Sequence, residues 1–362
     1  MLSVNQIDWT EIQQRFEAWW RHDQTDSPLL HIVTRRENNT EPLEPELPFA
    51  DPADKYLDVA QLVLRRRNFY RQHCLMAEAW PQISLDLGPG SLALYLGSEP
   101  GFAWDTVWFN ECVPAVEDWP PLLYRPDNYW LQKHLAMFQQ AKALVDGHFV
   151  LNMPDLIENI DILAAMRGPQ NFIYDMVDEP DLILQKVAEV DEVYFQYFDL
   201  FHDQVQFKGG NSYTAFNIWG PGRTAKVQCD ICALLSPEQF NTFVVPSLRK
   251  QCRRLDHSLY HLDGPDAIKH VPALMEIAEL DALQWTCGAG QPDGASDRWL
   301  PIYDQVHAAG KSIWVMLYDG NAADWLAGAQ KLIRRYGPGC LYFNFPVMSE
   351  ADGAMIMRAL RP

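Results

Sequence analysis

Eight short strand-like segments recur along the chain: "LLHIV", "ISLDLG", "HFVLNM", "SYTAFNIW", "SLYHLD", "ALQWT", "SIWVML" and "CLYFNF". A helix-like stretch or a long excursion follows each. The second half is the most regular. There "GPDAIKHVPALMEI", "DRWLPIYDQVHAAG", "NAADWLAGAQKLIRRYG" and "SEADGAMIMRAL" follow the last four segments. Strand–helix alternation implies a parallel sheet, and eight units predict an α/β fold closed into a single (β/α)8 TIM barrel. A doubly wound open sheet is the alternative. An N-terminal helical extension is expected from Thr10 to Asp23, and a long helix over residues 54–79. No repeat, low-complexity run or boundary interrupts the chain. Residues 1–362 therefore read as one domain, a length that α/β barrels commonly use.

One stretch breaks the alternation. Residues 99–130, "EPGFAWDTVWFNECVPAVEDWPPLLYRPDNYW", carry four tryptophans and five prolines. Such a segment is too apolar for a disordered linker, and a loop this long in a compact domain is usually functional. It is read as a long Trp-rich loop that covers a site, with Trp108 among its substrate contacts.

Charge narrows the partners. The formal net charge is −19 and the pI is near 4.8, a balance that repels nucleic acid and anionic membrane. No apolar run reaches the ~20 residues of a membrane span. The start "MLSVNQIDWTEIQQ" lacks the basic leader and apolar core of a signal peptide. The seven cysteines are an odd number in a long chain, so free thiols in a reducing cytoplasm are expected.

In a barrel of this kind, chemistry sits at the C-terminal ends of the strands. His261 and Asp263 are two apart on "SLYHLD", so on a strand they face the same way. The imidazole can shuttle a proton or bind a metal, and the carboxylate can take a proton or supply a metal oxygen. Asp263-Gly264-Pro265 is equally good turn chemistry, and Asp263 could cap the next helix. Cys287, at the end of the next segment, would complete a mixed His261–Asp263–Cys287 zinc site if its side chain pointed inward; otherwise it is a small buried thiol.

Elsewhere, Cys229 and Cys232 form a CxxC with no second pair, a weak metal signal. Asp230 between them could reach a pocket. Asp155 and Glu158 have capping-box spacing, so they could serve a helix start, yet Glu158 and Asn159 also sit where a substrate would enter. The candidate proton-transfer set is thus His261, Asp263, Glu158 and Asp230. The candidate substrate contacts are Trp108, Asp155, Asn159, Asn217, Trp219, Gln284 and Trp285. The Gly-Pro-Gly turns at 88–90 and 220–222 match neither a P-loop nor GxGxxG, and no GxSxG elbow occurs.

Several phrases together resemble the uroporphyrinogen decarboxylase-like superfamily, a set of (β/α)8 barrels. They are "LGPGSLALYLG", "DTVWF", "PDLIENIDILAAMRG", "QCDICALLSPEQF", "YHLDGPDAIKHV", "LDALQWTCGAG" and "AAGKSIWV", spread from about Asp86 to the C-terminus. One branch of that superfamily decarboxylates tetrapyrroles without metal or organic cofactor. The other holds zinc methyltransferases that work with corrinoid proteins and thiols. The resemblance places His261 at the zinc histidine and Asp263 at the first zinc cysteine. The last segment has no cysteine at its C-terminal end, because Cys340 stands at its start. The decarboxylase branch's arginine-rich "RQAGRY" motif is also absent.

The resemblance therefore implies methyl or alkyl transfer to or from a thiol or corrinoid protein, with zinc, a small-molecule substrate and a homodimer. The alternatives are a metal-free lyase or hydrolase of decarboxylase or sugar-acting type, and a non-catalytic corrinoid- or tetrapyrrole-binding protein.

Overall fold

The computed structural model describes residues 7–37 and 41–361. In chain order its strands begin with β1 (Leu29–Arg35), β2 (His73–Ala77), β3 (Gln82–Ile83), β4 (Pro100–Phe102) and β5 (Val107–Phe109). Next come β6 (Val150–Leu151), β7 (Gly210–Tyr213), β8 (Ile218–Pro221), β9 (Thr224–Gln228) and β10 (His257–Asp263). The last are β11 (Ala282–Thr286), β12 (Ser312–Met316), β13 (Leu341–Asn344) and β14 (Met348–Ser349).

Six of them form one unbroken parallel run, β9-β10-β11-β12-β13-β1. Most of their residues are buried on both faces, as parallel strands under crossover helices must be, and the exceptions lie at strand ends and at His261. The helices Leu300–Ala308, Ala322–Tyr336 and Glu350–Leu360 return the chain between or after the last of these strands.

The rest of the ring is different. Among the described residues, strands β3 and β6 pair only with each other. Their sheet joins the main one through single hydrogen bonds and side chains. Glu78 bridges to β1: its N–H donates to Leu30 O (3.0 Å), and its carboxylate accepts from Leu30 N–H (2.8 Å). The Met153 N–H donates to Ser212 O of β7 (2.8 Å). Asn211 then stands in for a strand beside β9: its Nδ2 donates to Thr224 O (2.8 Å) and its Oδ1 accepts from Thr224 N–H (3.0 Å). The arrangement is a mixed α/β fold with a mostly parallel central sheet. It is compatible with a (β/α)8 barrel, but among the described residues the sheet does not close.

A hairpin fills the enclosed space. Strands β7 and β8 pair antiparallel, and the turn between them touches four other strands. Trp314 Nε1 on β12 donates to Phe216 O (2.8 Å), and Tyr342 Oη on β13 donates to Asn217 O (2.6 Å). The Phe216 ring lies 5.1 Å from the His261 ring of β10, and Gln82 of β3 donates to Asn217 Oδ1 (2.7 Å). The hairpin base is held by the first helix, α1 (Trp9–Trp20), where Trp20 Nε1 donates to Trp219 O (2.9 Å) and Phe16 packs on the Trp219 ring. A side chain at Gly220 would meet Thr224 Oγ1 at 2.2 Å, so this close approach requires glycine.

Several expected elements change. The long helix of residues 54–79 ends at Gln72, and His73–Ala77 instead pairs antiparallel with β1. That exposed strand edge outweighs the helical pattern of "HCLMA". The single strand expected at "SYTAFNIW" is the hairpin, and the wall strand is the following "TAKVQ". The Trp-rich loop contains its own small hairpin, β4–β5, with Trp108 two-thirds exposed. The expected capping box at Asp155 and Glu158 does not form: the helix starts at Asn159, and no side chain caps it.

Candidate functional site

Strand alternation sorts the side chains. Registers align His261 with Gln228 on one side and Gln284 on the other, then Gln284 with Trp314 and Trp314 with Tyr342. One face of the run thus carries Lys226, Gln228, His261, Asp263, Gln284 and Thr286 toward the hairpin-filled interior and its C-terminal mouth. The neighbouring positions, Tyr260, Leu262 and Leu283, are fully buried on the helix side.

At the mouth, Asp230, His261 and Asp263 converge. Each offers one ligand atom, and the three atoms lie within 4.8 Å of one another. Both carboxylates are solvent-exposed, while the imidazole is half-buried. His261 Nδ1 faces Gln284 Oε1, and the Gln284 amide in turn donates to Thr286 Oγ1 (2.9 Å). Because that carbonyl oxygen only accepts, Nδ1 carries the proton and Nε2 is left with its lone pair. Gln228 Nε2 donates to Asp230 Oδ2 (2.8 Å), which fixes that carboxylate.

Desolvation and the nearby Lys226 ammonium lower the His261 pKa, so the ring is neutral at pH 7. Desolvation raises both carboxyls, and Asp230 raises Asp263 further by repulsion. A neutral imidazole beside two crowded carboxylates is a donor set that a divalent cation would relieve. Zinc accepts nitrogen and oxygen ligands, and the Gln284 hydrogen bond is the outer support such a histidine needs. These residues fit the metal that the resemblance implies, although none of the three supplies sulfur.

Two hollows flank the trio. Asp263 borders a cavity of about 510 Å³ whose walls include Phe216, Trp314, Met316 and Tyr318. Asp230 borders another of about 360 Å³, more apolar, with Phe109, Ile157, Ile231 and Leu234. A third, of about 330 Å³, lies beside Asp86 and Asp155 under the β4–β5 hairpin. There Lys226 Nζ binds Asp155 Oδ1 (2.6 Å) and Gln228 Oε1, and Asp86 Oδ1 accepts from Asp155 N–H (2.8 Å). Burial lifts the Asp86 pKa to about 6.

Of the other sequence candidates, Gln284, Trp285 and Cys287 line the same cavity as Asp263, and the rest lie elsewhere. Cys287 lines that cavity but is not one of the three converging ligand groups. It follows the parity of Trp285, whose ring packs on Trp299 (5.1 Å), and burial raises its thiol to about 11. Glu158 and Asn159 are buried and serve the edge of β9: Gln228 N–H donates to Glu158 Oε1 (2.6 Å), and Asn159 Nδ2 donates to Gln228 O (2.9 Å). Asp161 continues the edge by accepting from Asp230 N–H (2.7 Å) and Ile231 N–H (3.0 Å). Burial raises Glu158 to about 8 and Asp161 to about 7. Trp219 is fully buried at the hairpin base, where its Nε1 donates to Phe207 O (3.1 Å). Asn217 lies in the filled interior, and Gln284 backs His261.

Lys226, the buried cation of the site, was not among the sequence candidates. The signal existed: Lys and Gln alternate with Ala and Val in "TAKVQ", a polar stripe on an otherwise apolar strand.

A scan of protein-family models and a search of curated proteins each find no match for this chain. Among solved structures it is similar to a methyltransferase from Methanosarcina mazei, with a TM-score of 0.60 and 11% identity. That likeness covers 97% of this chain and 98% of the other. At that identity it shows a shared fold.

Proposed function

We propose that this chain is a methyl- or alkyl-transfer enzyme whose reacting groups meet at Asp230, His261 and Asp263. The observation that carries the reading is the convergence of these three donors between two separate hollows. A group transfer needs two partners brought to one point from different directions, and the two hollows supply those directions. The fold shared with a methyltransferase supports the class.

Asp230, His261 and Asp263 would hold zinc, which supplies the charge that keeps a bound thiol in its nucleophilic thiolate form. The chain's own groups do the rest. Gln284 keeps His261 in one tautomer. Phe216, Trp314 and Met316 form an apolar wall that keeps water from a small thiol or alkyl group. Lys226, paired to Asp155, holds a positive charge below the mouth that would attract an anionic substituent. The more apolar hollow beside Asp230 is where a corrinoid protein would present its methyl group.

The test is transfer from methylcobalamin to a small thiol such as coenzyme M, with zinc content measured on the same preparation. Stoichiometric zinc and loss of transfer in His261→Ala and Asp263→Asn are expected. A zinc-free preparation that stays inactive after zinc addition would defeat the reading.

The Asp86 carboxyl, whose pKa burial lifts to about 6 beside the Asp155–Lys226 pair, favours a second reading: a metal-free lyase using acid–base chemistry. Turnover that survives chelation but is lost in Asp86→Asn would select it.

A further inference from the structure

A second donor cluster lies at the opposite end of the strands. Cys340 stands just before β13, whereas Asn344 closes that strand at the mouth. The side chains of His22, His307 and Cys340 offer ligand atoms within 4.8 Å of one another. Cys340 Sγ is 3.8 Å from His307 Nδ1, and the His22 and His307 rings are 5.5 Å apart, tilted by 57°. Three distant segments meet here: the end of α1, the last turn of the helix Leu300–Ala308, and the approach to β13.

Local structure aims these groups. α1 ends as His22 N–H donates to Trp19 O (3.1 Å) and Asp23 N–H to Ala18 O (2.8 Å), with His22 at φ +56°. That left-handed position after a helix usually falls to glycine. Here it holds an imidazole whose ring turns toward His307. Trp19 Nε1 donates to Cys340 O (3.1 Å), and Gly339 packs so tightly on Asp23 O that a Cβ would meet it at 2.1 Å. The backbone around Cys340 is thereby fixed against the end of α1. The thiol is buried, while both imidazoles are half-buried and reachable from solvent.

We infer that His22, His307 and Cys340 form a second, structural metal site for a thiolate-accepting ion such as zinc, with water in the fourth position. Two imidazole nitrogens and one thiolate suit zinc and disfavour magnesium or calcium, which take oxygen. On binding, the Cys340 thiol gives up its proton and becomes the sulfur ligand. The ion would tie α1, and with it the hairpin base at Trp20 and Trp219, to the far end of the sheet.

This site differs from the one at Asp230, His261 and Asp263 by its sulfur, and cobalt(II) distinguishes them. Titrating the full chain with cobalt should develop a near-ultraviolet thiolate-to-cobalt charge-transfer band, which an oxygen- and nitrogen-ligated ion does not give. Cys340→Ser should abolish the band, and His261→Ala should leave it. His22→Ala, a half-buried change that the fold should tolerate, should weaken the band's apparent affinity at least about tenfold, since even an outer-shell partner is worth that much. Zinc should raise the melting temperature of the wild type more than that of His22→Ala. The inference is overturned if no thiolate band appears, if His22→Ala binds cobalt like the wild type, or if the band survives Cys340→Ser and vanishes with Cys229→Ser. Any of these leaves the transfer reading untouched, because that reading rests on other ligands.

Discussion

The two sides of the sheet are held together by different means. From β9 through β13 to β1, main-chain hydrogen bonds run strand to strand without a break. From β1 through β3 and β6 back to β9, side chains take over: Glu78 on Leu30, Asn211 on Thr224, Glu158 and Asn159 on Gln228, Asp161 on Asp230 and Ile231. A main-chain ladder is indifferent to pH, but a carboxylate used as a strand edge is not. The candidate site lies where these two constructions meet. Its His261 and Asp263 come from the regular side, and its Asp230 from the loop that Asp161 holds in place.

The difference can be broken from either side. On the regular side, Leu283→Ala should cost about 2–5 kcal/mol, because the residue is fully buried and its cavity cannot collapse in a laddered sheet. Urea denaturation would show this as a lower midpoint at an unchanged slope. On the stitched side, Asn211→Ala removes no comparable apolar volume. It should nonetheless cost about 1–3 kcal/mol for each of the Thr224 groups it leaves unpaired. A loss under half of the lower bound would mean that water or β7 replaces the stitch.

Glu158→Gln sharpens the contrast through pH. The Glu158 pKa rises from 4.5 when unfolded to about 8 when folded. Its contribution is therefore fully present below pH 4.5 and declines as pH rises toward 8, where the unfolded chain ionises first. Glutamine keeps the acceptor for Gln228 N–H and removes that decline. The wild type should lose more stability than the variant between about pH 5 and 8, with Asp86 and Asp161 leaving a residual slope of the same sign. Parallel stability curves would contradict a protonated Glu158. The smallest effect on stability is expected from Trp108→Ala on the exposed β4–β5 hairpin, within about 0.5 kcal/mol. A raised KM at an unchanged melting temperature would assign that hairpin to ligand contact.

The regular side was also the legible one. "SLYHLD", "ALQWT", "SIWVML" and "CLYFNF" each show apolar strand patterning followed by a helix, and all four are adjacent parallel strands. Parity alone put His261 and Asp263 on one face. The stitched side misled for physical reasons. The hairpin turn at Thr214–Asn217 contains neither glycine nor proline, and Asn217 takes φ +51° unassisted, so "SYTAFNIW" reads as one strand. That misreading moved the wall strand, and Lys226 with it, into an apparent loop. Glu158 and Asn159 looked like site residues because polar groups at a strand end usually are. Here their partners are main-chain atoms of a neighbouring strand, which no local pattern reveals. The direction of Cys287 was equally open in the sequence; it borders the cavity beside Asp263, while the Trp285 ring packs on Trp299.

A closed barrel of eight strands fills its interior with side chains from its own wall, so whatever sets the depth of its mouth also sets its frame. Here Phe216 belongs to an inserted hairpin, whereas Asp230, His261 and Asp263 belong to wall strands or the loops that leave them. The size of what enters and the groups that act on it are thus carried by separate pieces of chain. A longer or shorter hairpin tip could change which molecule fits while every reacting group stayed where it is.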